Sequence, residues 1–386
     1  TTIDSSEINA EKLLGMDMKE KKNTVLTKEQ VLNDPYGYTY NEILQVLGEN
    51  TSKSLMADLY RKKAKNAHYT IKVKDYYNGK DTTKYAFEME DGYCIETVCI
   101  KRKTGTTICI STMVGCPVGC IFCASGKNGF IRNLTPSEIV QQVVMVKEKI
   151  NRIVFMGMGE PLFNYKNVIQ AIHVLRDRNG LNFPTDGITI STVGPIPQLK
   201  KLREEHLKIQ LTLSLHATNQ RTRDMVMPHM KGFDINEIVE SVLSYSDRHN
   251  RKITIAYLLM PGINDKPSDV RQLAKWFSGK NVLINVLQYN ETECPAIKRP
   301  NKQQLVVFKN KLEEAGLVVK LRESRGNNIK AACGQLVSKF NRSTGKDGNS
   351  KSVKNSSERI VSKRTDTVAF IDKSSEKGRT KRKKNK

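Results

Sequence analysis

Long hydrophobic runs are absent from this chain: no apolar stretch approaches the roughly 18 residues needed to cross a membrane, so no spanning helix and no membrane partner is expected. The opening Thr1-Thr2-Ile3-Asp4-Ser5-Ser6-Glu7 is too polar and acidic for a secretory leader, which predicts a cytoplasmic address. Regularly spaced cysteines are lacking too. The eight cysteines, at 94, 99, 109, 116, 120, 123, 294 and 333, do not have the spacing of a secreted disulfide framework, and a reducing compartment suits them. Acid is scarce: 40 Asp and Glu face 64 Lys and Arg, a formal charge of +24.

That charge fits a polyanionic partner, because neutralising phosphates dominates nucleic-acid affinity. The segment from Asn341 to Lys386 has fifteen Lys and Arg against five Asp and Glu, or +10, which leaves +14 on the rest. The body is therefore basic in its own right. At 386 residues, with 38% hydrophobic and 27% charged side chains, the chain has ample length for a core.

Three thiols stand within eight residues, Cys116-Pro117-Val118-Gly119-Cys120-Ile121-Phe122-Cys123, at C-x3-C-x2-C spacing. An iron–sulfur cube held by three thiolates keeps one iron without a protein ligand, and that position can take a substrate or cofactor. A structural zinc site is the alternative, but it needs four ligands and no fourth Cys or His lies in this loop. An electron-transfer ferredoxin would show a denser run ending in Cys-Pro.

Residues 1–30 are polar and lysine-rich and predict a loosely ordered N-terminus. Segment 31–105 reads as a reduced accessory domain. Ile43, Leu44, Val46 and Leu47, then Leu55, Leu59 and Tyr60, suggest two short helices; alternation over 69–73 and 85–89 about Asn78-Gly79 suggests a hairpin. From 106 to 336 strand and helix alternate, with strands expected over 107–111, 153–156, 188–192, 209–215, 253–259, 283–287 and 317–321. Thr135-Pro136-Ser137-Glu138 is a capping box, and Asp234 with Glu237 predicts a second. The expected fold is α/β, a parallel sheet closed or partly closed as a barrel with its site at the C-terminal strand ends; an open doubly wound sheet is the alternative. After Leu336, Ser, Asn, Gly, Lys and Arg dominate, so 337–386 reads as a basic disordered tail.

The expected strand ends carry polar or glycine-rich groups: Gly157-Met158-Gly159-Glu160-Pro161, Ser191-Thr192, Ser214-Leu215-His216 and Tyr289-Asn290. The glycines would let a ligand approach the backbone, and the Glu160 carboxylate could accept from an ammonium group.

Taken in order, the cysteine loop, Gly157 to Pro161, Ser214-Leu215-His216, Met227-Pro228 and the run Arg325-Gly326-Asn327-Asn328-Ile329-Lys330-Ala331-Ala332-Cys333-Gly334-Gln335-Leu336 resemble the RlmN/Cfr family of RNA adenine methyltransferases. These belong to the radical S-adenosylmethionine superfamily. The resemblance implies a partial (β/α) radical S-adenosylmethionine barrel over roughly 85–336. It makes Cys116, Cys120 and Cys123 ligands of a [4Fe-4S] cluster and places Gly159, Glu160, Ser191, Ser214, Leu215, His216 and Asn290 around S-adenosylmethionine. By the same correspondence Cys333 is the cysteine that becomes methylated, Cys109 its redox partner and Glu96 the proton acceptor.

Adenine carbon 2 is electron-poor and cannot attack a sulfonium methyl directly. The resemblance therefore implies that Cys333 is methylated first, that a hydrogen atom is then removed from its methyl group, and that the carbon adds to the base. Loss of a ring proton to Glu96 or Cys109 precedes release through a Cys109–Cys333 disulfide. The implied partners are RNA, 23S rRNA and also tRNA, and an electron donor such as flavodoxin or ferredoxin. Pro161 and the Ser-Arg-Gly-Asn-Asn-Ile run resemble the carbon-2 branch more than the carbon-8 branch. The helical accessory domain of the family is reduced here, which leaves RNA identity less determined than reaction type. Intact Glu96, Cys109 and Cys333 argue against a non-catalytic RNA-binding protein on the same scaffold, and the charge argues against a radical enzyme acting on peptides.

Overall fold

The computed structural model describes residues 25–61, 69–127, 129–292, 297–322 and 326–336. The expectations for residues 1–24 and for the tail after Leu336 fall outside these, as do Cys294 and Arg325.

Ten strands form one sheet, in the order β1 (Ile71–Asn78), β2 (Thr82–Met89), β3 (Cys94–Arg102), β4 (Gly105–Cys109), β7 (Ile150–Phe155), β8 (Ile188–Thr192), β9 (Gln210–Ser214), β10 (Ile253–Leu259), β11 (Val282–Gln288) and β12 (Val319–Arg322). β5 (Met113–Gly115) and β6 (Phe130–Asn133) pair separately, beside the cysteine loop. From β4 to β12 every pairing in the large sheet is parallel. Those seven strands are the seven expected from sequence. Among the described residues the two ends of the sheet do not pair with each other, and the barrel is partial.

Parallel strands need crossover segments, and the intervening helices bury one face on the sheet. β10, Ile-Thr-Ile-Ala-Tyr-Leu-Leu, is covered on both faces and all but Thr254 of it is buried. The Pro136–Val144 helix begins as predicted: Thr135 Oγ1 accepts from the Glu138 amide while the Glu138 carboxylate accepts from the Thr135 amide. The second expected box is only half made. Asp234 Oδ1 accepts from the Asn236 and Glu237 amides, but the Glu237 carboxylate turns instead to Lys200 Nζ at 2.9 Å.

Antiparallel β1, β2 and β3 hydrogen-bond in register into β4 and extend the same sheet. Alternation over 85–89 suggested one strand of a hairpin, and β1 and β2 pair antiparallel as expected, but alternation alone does not show how much of β2 is covered. β2 is buried nearly throughout, because it lies inside the sheet: Tyr85, Phe87 and Met89 join the main core, and on the other face Lys84 is buried in an ion pair with Glu96. The Tyr40–Leu47 and Glu49–Met56 helices confirm the two short helices, the second running on into a wide turn over Ala57–Arg61.

Candidate active site

The cysteine loop leaves the C-terminal end of β4, and buried polar groups fix its path. Gln142, on the inner face of the Pro136–Val144 helix, both accepts from the Ser111 amide at 2.8 Å and donates to the Ser111 carbonyl at 2.9 Å. Ser111 Oγ donates to the Glu96 carbonyl at 2.6 Å and accepts from the Met158 amide at 2.9 Å, drawing the ends of β3, β4 and β7 together. Gly157 and Gly159 serve this packing. A Cβ on Gly157 would come within 2.6 Å of the Ile110 carbonyl, and one on Gly159, at φ +105, within 2.7 Å of Thr112 Oγ1. Both glycines also line the cavity described next; the space a Cβ would take is filled by the Ile110 backbone and Ser111 Oγ at Gly157 and by the Thr112 and Met113 side chains at Gly159.

Beyond them lies a cavity lined by Cys116, Cys120, Cys123, Gly159, Glu160, Ser191, Ser214, His216, Asn290 and Cys333. Burial, reinforced by neighbouring thiols, raises the proton affinity of Cys116 and Cys120, and burial raises that of Cys123. A bound metal would reverse this by displacing the protons. Among the described residues no group of three His, Cys, Asp or Glu side chains converges as a single metal ion would require. A cluster in which each thiolate takes a different iron does not impose that convergence.

Glu160 is buried and already accepts three bonds, from Thr192 Oγ1 at 2.6 Å, the Leu162 amide at 3.0 Å and the Val193 amide at 2.9 Å. A carboxylate has about four acceptor positions, so roughly one is left for an incoming donor. Burial pushes Glu160 up to about 7 against the pull of those donors. His216, in the left-handed region at φ +53, accepts the Leu258 amide on Nδ1 at 2.9 Å. Burial, followed by the charge of Arg223, brings His216 down to about 3. The ring is neutral and its proton sits on Nε2. Ser191 and Ser214 hydroxyls lie 3.3 Å apart on adjacent strand ends. Leu215 is the exception among the expected cofactor contacts: its side chain is fully buried outside the cavity wall, and its carbonyl accepts from Arg223 Nη1 at 2.7 Å.

A second cavity contains Cys109, Cys333, Asn290, Arg102, Arg322 and an apolar wall that includes Val98, Met156 and Ala331. Cys333 and Asn290 line both cavities. The segment carrying Cys333 is tied to the cysteine loop: the Ala124 amide donates to the Gly334 carbonyl at 2.7 Å and Ser125 Oγ to the Leu336 carbonyl at 2.6 Å. Cys109 is buried, and burial together with Cys333 pushes its thiol up to about 12, with Arg322 acting the other way. Every cysteine among the described residues is a free thiol, Cys109 and Cys333 included. Glu96 lines neither cavity; it is two residues along β3 from Val98 and bonded to Lys84.

Residues 110–277 match the radical SAM superfamily. A probable RNA methyltransferase of Rhodopseudomonas palustris (strain BisB5) is 48% identical over 258 residues, spanning 67% of this chain and 72% of that protein. A probable dual-specificity RNA methyltransferase RlmN of Thermotoga maritima is 44% identical over 259 residues, 66% of this chain and 75% of that protein. The chain belongs to the RlmN/Cfr family. A crystal structure of a radical SAM methyltransferase from Sphaerobacter thermophilus superimposes with a TM-score of 0.75 at 30% identity, covering 78% of this chain and 98% of that one.

Family membership makes this a radical S-adenosylmethionine methyltransferase and implies a four-iron cluster with S-adenosylmethionine. The donor set fits. Three thiols face one cavity, Glu160 retains an open acceptor position, and the buried Asn290 Oδ1 has no partner among the described residues. Sequence reasoning passed over Gln142, Lys84 and Arg223. Gln142 could have been found, because it falls three residues after Ile139 on the apolar face of its helix. Arg223 had no such signal in its polar surroundings, yet it is fully buried, donating to Leu215 O and Val193 O, with Nε unpartnered among the described residues. Burial brings Arg223 down to about 10, and its charge counters the effect of burial at Cys120.

Proposed function

We propose that this enzyme methylates carbon 2 of an adenine in 23S ribosomal RNA, and of transfer RNA as well, through a methyl group carried on Cys333. The observation that carries the reading is the place of Cys333 on the shared wall of two cavities, one with the three-cysteine loop and the other with Cys109. A carrier must face the methyl source on one side and the acceptor base on the other. The dual specificity in the name of the Thermotoga maritima relative supports testing both RNA classes.

In this reading Cys116, Cys120 and Cys123 hold the cluster, and Gly159, Glu160, Ser191, Ser214, His216 and Asn290 hold S-adenosylmethionine, with the Leu215 backbone supporting that wall. When bound, the cofactors would supply the methyl group, the one-electron chemistry that removes a hydrogen atom from it, and the acceptor for the one electron that the adduct radical gives up as the ring proton leaves, with electrons from a donor such as flavodoxin or ferredoxin. Cys333 accepts the methyl group as a thiolate. Glu96 takes the proton from the ring carbon once that carbon is bonded to the Cys333 methylene. Cys109 then attacks the Cys333 sulfur: an S–S bond forms, the S–C bond breaks, and its electron pair stays with the carbon, which takes a proton and becomes the product methyl. Burial and Cys333 hold the Cys109 thiol protonated, and Arg322 acts the other way, toward the thiolate this step needs.

The test is mass spectrometry of nucleosides from ribosomal and transfer RNA of cells with and without the gene. Loss of 2-methyladenosine supports the reading, loss of 8-methyladenosine moves it to carbon 8, and no change in either rejects it.

A further inference from the structure

We propose that His229 is a positioning residue for the cysteine loop: it fixes and polarises the peptide between Pro117 and Val118, whose amide serves the Cys116 sulfur, and thereby raises the reduction potential of the cluster held there. This rests on the reading of Cys116, Cys120 and Cys123 as the cluster ligands. His229 itself is outside the cavity wall and acts through the loop.

His229 Nδ1 is 2.7 Å from the Pro117 carbonyl oxygen. A carbonyl only accepts, so Nδ1 carries a proton and donates it to this bond. The amide of the same peptide unit, on Val118, is directed at the Cys116 sulfur, as is the Gly159 amide. One chain of bonds therefore runs from the imidazole N–H through the Pro117 carbonyl and the Val118 amide to a ligand sulfur. Pro117 and Val118 are buried, and hydrogen bonds in series polarise one another most where water does not screen them. The ring also packs on the loop backbone: Gly119 holds φ +66, and a Cβ there would stand 2.7 Å from both Nδ1 and Cε1 of His229.

The histidine is itself held in place. It stands in the Pro228–Met230 turn, just beyond the Gln220–Val226 helix. Val226, Met227 and Met230 are fully buried, and the Val226 carbonyl accepts from the Ile121 amide at 3.1 Å, a second tie to the loop. One turn earlier, Arg223 donates to the Leu215 and Val193 carbonyls beyond β9 and β8. Residues 223–229 thus form a strut from the strand ends to the cysteine loop.

Amide hydrogen bonds to the sulfurs of an iron–sulfur cluster stabilise its more negative, reduced form and raise its potential. A donor on the Pro117 carbonyl makes the Val118 amide a stronger donor in turn. Taking the imidazole away weakens the N–H···S bond, and acceptance of one electron from the donor protein becomes less favourable.

The experiment uses the full chain with the cluster reconstituted anaerobically and no S-adenosylmethionine, titrates it with dithionite and follows the one-electron reduced cluster by electron paramagnetic resonance. It compares the unmodified protein with His229→Phe, which keeps a ring against Gly119 but has no N–H, and His229→Asn, whose amide can take the place of Nδ1–H. His229→Phe should make reduction about three- to tenfold less favourable, a potential roughly 30 to 60 mV more negative at about 59 mV per tenfold for one electron, with iron content still about four per chain. His229→Asn should stay near the unmodified value. In the iron-free proteins, amide hydrogen exchange over 118–121 should be faster in His229→Phe than in His229→Asn, and equal exchange counts against the clamp. An unmodified chain that takes up no cluster overturns the cluster reading, and the inference with it. Full iron and an unchanged potential in His229→Phe overturn the inference alone. Should His229→Phe hold no iron, His229→Asn decides: a potential displaced to that extent despite the retained donor counts against the proposal, and one held in place supports it.

Discussion

Asn290 donates its side-chain amide to the Cys333 carbonyl at 3.1 Å, while its own Oδ1 is buried with no partner among the described residues. The residue follows β11 and reaches across to a segment 43 positions later, fixing Cys333, the proposed methyl carrier, to the rim of the sheet. An unpaired buried acceptor costs stability, and a ligand donor would relieve that cost.

Asn290→Ala removes both the tie and the orphan. Loss of one buried hydrogen bond to a ligand is worth about 1 kcal/mol, so S-adenosylmethionine binding should weaken roughly fivefold. The rate of Cys333 methylation should fall further than binding alone accounts for, because the carrier segment also loses its anchor. Equilibrium binding and intact-protein mass spectrometry check the two parts; unchanged affinity would remove Asn290 from the cofactor wall.

Much of this was legible in the sequence. The seven parallel strands were, because β-branched runs between capped helices leave few other arrangements, and so was the gathering of Gly159, Glu160, Ser191, Ser214 and His216 at one rim. What was not legible is long-range. Alternation in Tyr85–Met89 is identical for an edge strand and an interior one, and only the neighbours of β2 decide. Lys84 reads as a surface lysine until Glu96 is placed beside it. Asp234 and Glu237 have the spacing of a reciprocal box, but Lys200 competes for the carboxylate.

Glu160 predicts two opposite pH effects. Its proton affinity in the folded, cofactor-free protein is raised by burial from the ordinary carboxylate range to about 7. A raised value means that its contribution to stability is fully present below the unfolded value, near 4.5, and is lost as pH rises through about 7. Binding of a ligand ammonium needs the ionised form, so S-adenosylmethionine affinity should instead increase with pH, by at most about tenfold per unit below pH 7, and level off above it. Calorimetric titration at several pH values tests this. A flat profile between pH 6 and 8 would mean that Glu160 does not receive the ammonium.

The basic segment 341–386 carries +10 of the formal charge but no set of metal or cofactor ligands. Deleting it should weaken RNA binding and make the salt dependence shallower, since each RNA phosphate that the shortened chain leaves unneutralised takes close to one unit from the slope. Cofactor cleavage in the absence of RNA should persist. Equal affinity and equal slope for the shortened chain would show that RNA is held by the body alone.

Cys109 and Cys333 predict a pair of variants that fail in different ways. Cys333→Ala lacks the atom that accepts the methyl group, so RNA methylation should stop while iron content stays the same, the three loop cysteines being untouched. A digest of the unmodified protein should show a methylated peptide containing Ala331-Ala332-Cys333. Cys109→Ala should still take up the methyl group and join it to RNA, because Cys333 and the anchors of its segment at Gly334, Leu336 and Asn290 remain. What it lacks is the sulfur that must attack Cys333 for the S–C bond to break. The RNA should therefore remain attached to the protein, visible as a species that survives denaturing gel electrophoresis and disappears on nuclease treatment. Methylated RNA released by Cys333→Ala would refute the carrier role outright. Free product from Cys109→Ala at the ordinary rate would leave the carrier in place and require another residue to resolve the adduct.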